Sequence, residues 1–309
     1  MGETLDERTT AVVVTADGAR LHVGLDGADT APVTVVLAHG WVLAQAAWDD
    51  VAAALGDRVA AGSLRVVRYD QRGHGRSTWG SADTMSIDLL GEDLAAVLDQ
   101  LVPTGPVVLA GHSMGGMTVM ALAAARPELF GDRVAGVALV STSAGELFAP
   151  PRTAAERLRH RLLPRVGAWA VRHERPVQAL RGLLPPSAPR HQRSTRRLLY
   201  GGGATDAVVL RGAELVHASS VRSFVDFHPA LQAHDKARQL AALRGVPVEV
   251  LVGGADRLTP VGHSEQLVDR LPEARLTVVP GVGHMLPSEC PDLVTAAIER
   301  LLPGAGRAG

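Results

Sequence analysis

Short apolar runs alternate along the chain with longer stretches whose apolar residues recur at helical spacing. Residues 33–38 (VTVVLA), 64–69 (LRVVRY), 107–110 (VVLA), 133–141 (RVAGVALVS), 246–253 (VPVEVLVG) and 274–280 (ARLTVVP) are brief and rich in β-favouring side chains. Such runs, with no polar alternation, are the pattern of strands covered on both faces. Ahead of them, residues 11–26 (AVVVTADGARLHVGLD) read as two strands joined at Asp17-Gly18, a hairpin signal. Helical spacing marks a segment near 45–58, residues 86–101 (SIDLLGEDLAAVLDQL), the apolar run that begins at Met114 (MGGMTVMALAAAR), and roughly 289–302. Strands alternating with helices predict a mostly parallel eight-stranded sheet flanked by helices, an α/β fold.

The alternation is interrupted once. From about residue 144 to 235 no strand pattern occurs; residues 152–173 and 205–227 carry helical patterns, with LLPPSAPRH (183–191) as a break between them. This predicts a helical cap, or lid, at 144–235, inserted after the sixth strand into a core made of 1–143 and 236–309. The insertion also has its own charge. Residues 151–200 hold twelve arginines against Glu156 and Glu174, an excess of ten positive charges in a chain whose net charge is -1. The rest of the chain is correspondingly acidic, which argues against general nucleic-acid binding. Solvated helix faces account for such arginines, and they would also suit an anionic substrate or an anionic membrane met through the cap.

Composition narrows the class without naming it. A chain of 309 residues with 46% hydrophobic and 20% charged residues is expected to fold around a core, and 3% aromatics makes that core one of Ala, Val and Leu. Cys290 is the single cysteine, so an internal disulfide and a cysteine zinc cluster are both excluded. The N-terminal MGETLDERTT lacks the basic start and apolar stretch of a secretory signal, and no apolar run is long enough to span a bilayer. A cytoplasmic protein is the expectation.

The chemistry is suggested by Gly111-His112-Ser113-Met114-Gly115, a G-x-S-x-G pattern between a predicted buried strand and an apolar helix. In that pattern the serine sits on a sharp strand-to-helix turn with small residues two positions to either side. A serine hydroxyl needs a base to become a nucleophile, and the base needs an orienting group. Candidates for each lie at the C-terminal ends of predicted strands, where open parallel sheets form their sites. Asp256 stands in LVGGADRLTP after the seventh strand, and His284 in VVPGVGHMLP after the eighth. The turn in LAHGW (37–41) follows the third strand, and the backbone N–H groups of Trp41 and Met114 are candidate oxyanion donors. Glu146 is the rival acid and His263 the rival base. His39 and His112 read as braces of their turns, and Asp70, Arg72 and His74 as charges that pin a loop. His217, His228 and His234 lack the spacing of a metal site.

Taken in order, HGW, YDQRGHGRS (69–77), GHSMGG, GGADRLTP and GHMLP resemble the α/β-hydrolase superfamily, in its serine-nucleophile branch with a helical cap. The resemblance covers nearly the whole core. It implies Ser113 as nucleophile, His284 as base, Asp256 as its orienter, Trp41 and Met114 as oxyanion donors, and no metal or organic cofactor. The 144–235 segment follows no pattern of the family, so the substrate is not assigned by the resemblance. The expected activity is hydrolysis of carboxylic esters with small to medium apolar acyl groups, through an acyl-enzyme. Thioesterase, lactonase, acyltransferase and carbon–carbon bond hydrolase chemistry use the same residues, perhydrolysis is a possible side activity, and a non-catalytic ligand-binding scaffold is the alternative from another class.

Overall fold

The apolar runs fold as strands of one sheet. In the computed structural model, which describes residues 9–148 and 153–304, β1 (Thr9–Val14) and β2 (Arg20–Asp26) form the hairpin around Asp17-Gly18. They are followed by β3 (Thr34–Ala38), β4 (Arg65–Tyr69), β5 (Val107–His112), β6 (Val134–Val140), β7 (Val248–Gly253) and β8 (Arg275–Val279). The order across the sheet is β1-β2-β4-β3-β5-β6-β7-β8. β2 pairs antiparallel with β1 and β4, and every pairing from β4 to β8 is parallel. The eight-stranded, mostly parallel sheet matches the sequence expectation.

Helices cover both faces because alternate strand residues are apolar on both sides. On one face Val36, Leu109 and Val137 meet α3 (Ile87–Leu101) and α4 (Met114–Ala125). On the other, Val35, Leu37, Val108 and Ala110 meet α1 (Asp49–Ala54) and α12 (Pro291–Arg300). α4 is buried along most of its length, which is why its sequence shows no polar stripe. α3 and α4 approach closely at Gly91, where an added Cβ would lie 2.9 Å from both the Ala121 Cβ and the Leu122 nitrogen. The segment near 45–58 is not one helix but a 3₁₀ turn at Gln45–Trp48, then α1, then α2 (Gly56–Ala60). Gly56 weakens the helical run at that junction.

Between β6 and β7 the described chain forms α5 (Ala154–Arg172), α6 (Glu174–Gly182), α7 (Pro189–Leu199), α8 (Asp206–Ala218) and α9 (Val221–Ala233). The helical pattern at 205–227 is divided between two helices, α8 and α9. Ser219 and Ser220 are extended, and the Ser220 hydroxyl accepts the Ser223 N–H as the cap of α9. The two ends of the insertion meet: Gly145 and Asp235 form an isolated antiparallel bridge, and the Lys236 N–H donates to the Ala144 carbonyl at 2.6 Å. After β7 come α10 (Val261–Arg270) and, after β8, the short α11 (Leu286–Glu289) before α12. The N-terminal stretch through residue 8, read above for a secretory signal, lies outside the described residues. Among the described residues no helix is long and apolar enough to cross a membrane.

The loop after β4 is fastened by charge. Arg72 is buried, and its guanidinium donates to Asp93 on α3 at 2.6 Å and to Asp17 of the hairpin turn at 2.7 Å. Asp70 accepts the N–H groups of Gln45 and Arg76, at 2.8 and 3.0 Å. A buried cation that loses one partner keeps its desolvation cost, so Asp93→Asn is expected to destabilise the fold by about 3 kcal/mol. Urea unfolding checks this; a loss under about 1 kcal/mol would mean that the pair is not needed.

Candidate active site

β5 ends at His112 and α4 begins at Met114, so Ser113 alone makes the turn between them. Its backbone has φ +54° and ψ −119°, a conformation that costs a non-glycine residue roughly 1–3 kcal/mol. The neighbours make the turn sterically feasible. A Cβ on Gly111 would overlap the Gly115 carbonyl, and one on Gly115 would overlap the Ala38 carbonyl of β3. Hydrogen bonds then hold Ser113 in place. Its N–H donates to the Val140 carbonyl at 2.9 Å, and its carbonyl accepts the Thr142 hydroxyl at 2.7 Å and the Gly116 N–H at 2.9 Å.

Asp256 and His284 are joined. His284 Nδ1 lies 2.8 Å from Asp256 Oδ2, and both side chains are buried. Because a carboxylate only accepts, the proton is on Nδ1, leaving Nε2 as the basic nitrogen. The carboxylate has further donors: the N–H groups of Leu258 and Thr259 reach Oδ1 at 2.8 and 2.9 Å, and the Thr259 hydroxyl reaches Oδ2 at 2.9 Å. Burial pushes the Asp256 carboxyl up, but the His284 charge and these hydrogen bonds outweigh it and hold it below the usual carboxylate range. It is Asp256, not Glu146, that meets His284. Glu146 is exposed after β6 with φ +53°. His263 lies on α10 with its Nδ1 2.9 Å from the Ser143 hydroxyl.

The elbow and the histidine loop touch through His112. Its Nε2 donates to the His284 carbonyl at 2.9 Å, and the two rings stand 4.9 Å apart. Burial, with His284 adding to it, pushes His112 down to about 3, so the ring is neutral and serves as a brace. His39 braces the opposite side. Its Nε2 accepts the Gln71 N–H at 2.9 Å, which leaves Nδ1–H to donate to the Gly40 carbonyl at 2.7 Å. The turn at 40–41 abuts the elbow, since a Cβ on Gly40 would sit 3.2 Å from Ser113 Cβ. Met114 opens α4, so its N–H has no acceptor within the helix.

Several supports carried no sequence signal. The Leu199 carbonyl accepts the His284 N–H at 2.8 Å, and Glu289 accepts the N–H groups of Gly201 and Gly283, at 2.8 and 3.0 Å. Ser219, at the end of α8, donates its hydroxyl to the Val42 carbonyl at 2.6 Å. Val42 is strained, a β-branched residue at φ +52°. The Trp41 indole N–H reaches the Ser223 carbonyl at 2.9 Å, and the Ser223 hydroxyl donates to the Gly73 carbonyl. The start of α9 is therefore bonded to the turns around the elbow. Trp41 packs on Phe224 with ring centroids 4.6 Å apart, and His228 lies between Trp41 and Phe148 at 6.2 and 5.2 Å. A cavity of about 340 Å³ bounded by Tyr200, Val208, Arg211 and Met285 is lined by none of Ser113, Asp256 or His284. Among the described residues no group of three or more His, Cys, Asp or Glu side chains could hold a metal ion.

Residues 35–297 match the sequence model of the alpha/beta hydrolase family. The chain belongs to that family. It is 28% identical to a monoacylglycerol lipase of Mycolicibacterium smegmatis over 86% of each chain. It is also 28% identical to an esterase of Mycobacterium tuberculosis, over 87% of this chain and 82% of that one. Among solved structures, a thermophilic esterase from Thermogutta terrifontis superposes with a TM-score of 0.71 at 25% identity, covering 95% of this chain and 97% of the other.

The lowered Asp256 value has a measurable consequence. A carboxyl whose folded pKa is depressed contributes stability above its unfolded pKa and loses it as pH falls through the folded one. Thermal melts between roughly pH 6 and pH 3 are therefore expected to fall more steeply for the native chain than for Asp256→Asn. Parallel curves would show that the carboxylate is not held as described.

Proposed function

We propose that this hydrolase cleaves carboxylic esters of small to medium apolar acyl groups through an acyl-enzyme, with residues 144–235 as a cap over the site. The observation that carries the reading is the buried 2.8 Å bond between Asp256 and His284 next to a serine forced into a strained turn. In this reading Ser113 Oγ attacks the ester carbonyl carbon while His284 Nε2 takes the hydroxyl proton. The oxyanion is met by the N–H groups of Trp41 and Met114. The tetrahedral intermediate collapses, and the imidazolium gives its proton to the leaving alkoxide, which departs as the alcohol. Water, deprotonated by His284, then attacks the acyl carbon, and the acid leaves as Ser113 recovers its proton. Asp256 keeps the ring in the correct tautomer and balances its transient charge.

The acyl preference is supported by the aromatic wall of Trp41, Phe224 and Phe148. Apolar walls with a few directed polar groups are the usual composition of small-molecule sites. The names of the relatives support ester chemistry in the same direction, because a lipase and an esterase match the sequence over most of their length and a further esterase shares the fold. Thioesters, lactones and carbon–carbon bonds remain substrates for comparison on the same residues.

A fluorophosphonate is expected to label Ser113, and short p-nitrophenyl esters to be turned over. Ser113→Ala should lose on the order of 10³-fold or more in kcat with the fold intact, and Asp256→Asn should fall by a comparable factor through the wrong imidazole tautomer. Trp41 contributes its backbone to the chemistry, so Trp41→Ala should change KM across acyl lengths more than kcat. An unlabelled Ser113, or an Asp256→Asn variant with near-full activity, would overturn these assignments.

A further inference from the structure

The outward surface of the insertion is built the wrong way round for water. On α5, Leu158, Leu162, Val166 and Trp169 recur at helical spacing, within an arc of about 80° at 3.6 residues per turn. Leu158, Val166 and Trp169 are 57, 60 and 58% exposed. The opposite side of the helix faces α9, where a Cβ on Gly167 would come within 2.8 Å of Val225. α6 repeats the arrangement. Its Arg181 points inward, half-buried, donating to the carbonyls of Val216 and Ser219 at the end of α8, at 3.1 and 2.9 Å. At its C-terminal end the leucines point outward, Leu180 at 67% exposure and Leu183, just past the helix, at 78%. A segment that draws Arg181 inward and leaves Leu180 and Leu183 in solvent presents an apolar surface suited to a partner outside the molecule.

Charge identifies the partner. Exposed Arg165 and Arg172 project beside the apolar stripe of α5, exposed Arg175 lies on α6, and the surrounding fifty residues carry the excess of ten positive charges. Leucines and a tryptophan flanked by arginines match the two layers of an anionic bilayer surface: the acyl boundary for the apolar side chains, the phosphates for the guanidinium groups. We infer that the α5–α6 face docks the protein onto anionic phospholipid membranes, lying in the interface without crossing it. α9 lies under α5 and carries Phe224 of the aromatic wall, so docking puts the candidate site next to a reservoir of acyl esters. The docking surface stands independently of the ester reading; only this consequence for substrate supply rests on it.

Co-flotation with vesicles of phosphatidylglycerol and phosphatidylcholine, against vesicles of phosphatidylcholine alone, tests the surface. Binding is expected to the anionic vesicles, to weaken as salt rises, and to fall on the order of a hundredfold in Leu162→Asp/Val166→Asp, since both side chains leave the apolar layer. Arg165→Glu/Arg172→Glu should lose the preference for anionic over neutral vesicles. Both double variants should melt like the native chain and keep its kcat on a soluble short ester. The Ser113→Ala protein should bind vesicles normally, which separates a failed docking surface from a failed ester assignment. Absence of flotation, flotation unchanged in the apolar double variant, or a dimer in solution that the same variant dissociates without any vesicle binding would each overturn the inference.

Discussion

The site depends on a steric constraint at one residue. A strand and a helix that meet with only Ser113 between them force its backbone to a positive φ, and Gly111 and Gly115 are what let the chain pass the carbonyls of β3 and α4 there. The strain is balanced by bonds from the end of β6 and the turn after it: the Val140 carbonyl and the Thr142 hydroxyl hold the serine peptide from both sides. Because both partners are buried, Val140 at the end of a central strand and Thr142 just beyond it, the serine cannot relax without disturbing the centre of the sheet.

From that point the remaining loops are fixed by contact. His112, immediately before the serine, is bonded to the loop that carries His284, and His39 is bonded to the loop after β4. Both rings are neutral because burial disfavours their charged forms. His39 is a two-ended connector, accepting at Nε2 and donating from Nδ1, whereas His112 connects through Nε2 alone. The His284 imidazole is distinguished from them by its carboxylate partner, so three kinds of histidine environment lie close together at one end of the sheet.

Much of this was legible in the sequence because it rests on local pattern. Buried strands are continuous apolar runs, the hairpin is marked by Asp17-Gly18, and the elbow by its glycines; the three side chains expected at the strand ends are found there. What was not legible depends on partners distant in the chain. Ser219 is an ordinary serine until its hydroxyl is seen holding the strained Val42 turn, 177 residues away. Glu289 looks like a surface residue of a helix, yet it gathers the N–H groups of Gly201 and Gly283. The break at Ser219-Ser220 was hidden because helical spacing continues across it, and only the extended backbone reveals two helices.

The stem formed by Gly145, Asp235 and the Ala144–Lys236 hydrogen bond has a separate implication. The polypeptide departs from the scaffold and returns at one clasped spot, so the outward helices between the clasped ends can lengthen, shorten or be exchanged while strand spacing stays untouched, whereas Leu199 and Ser219, which bond the backbones of His284 and Val42, are tied to the scaffold.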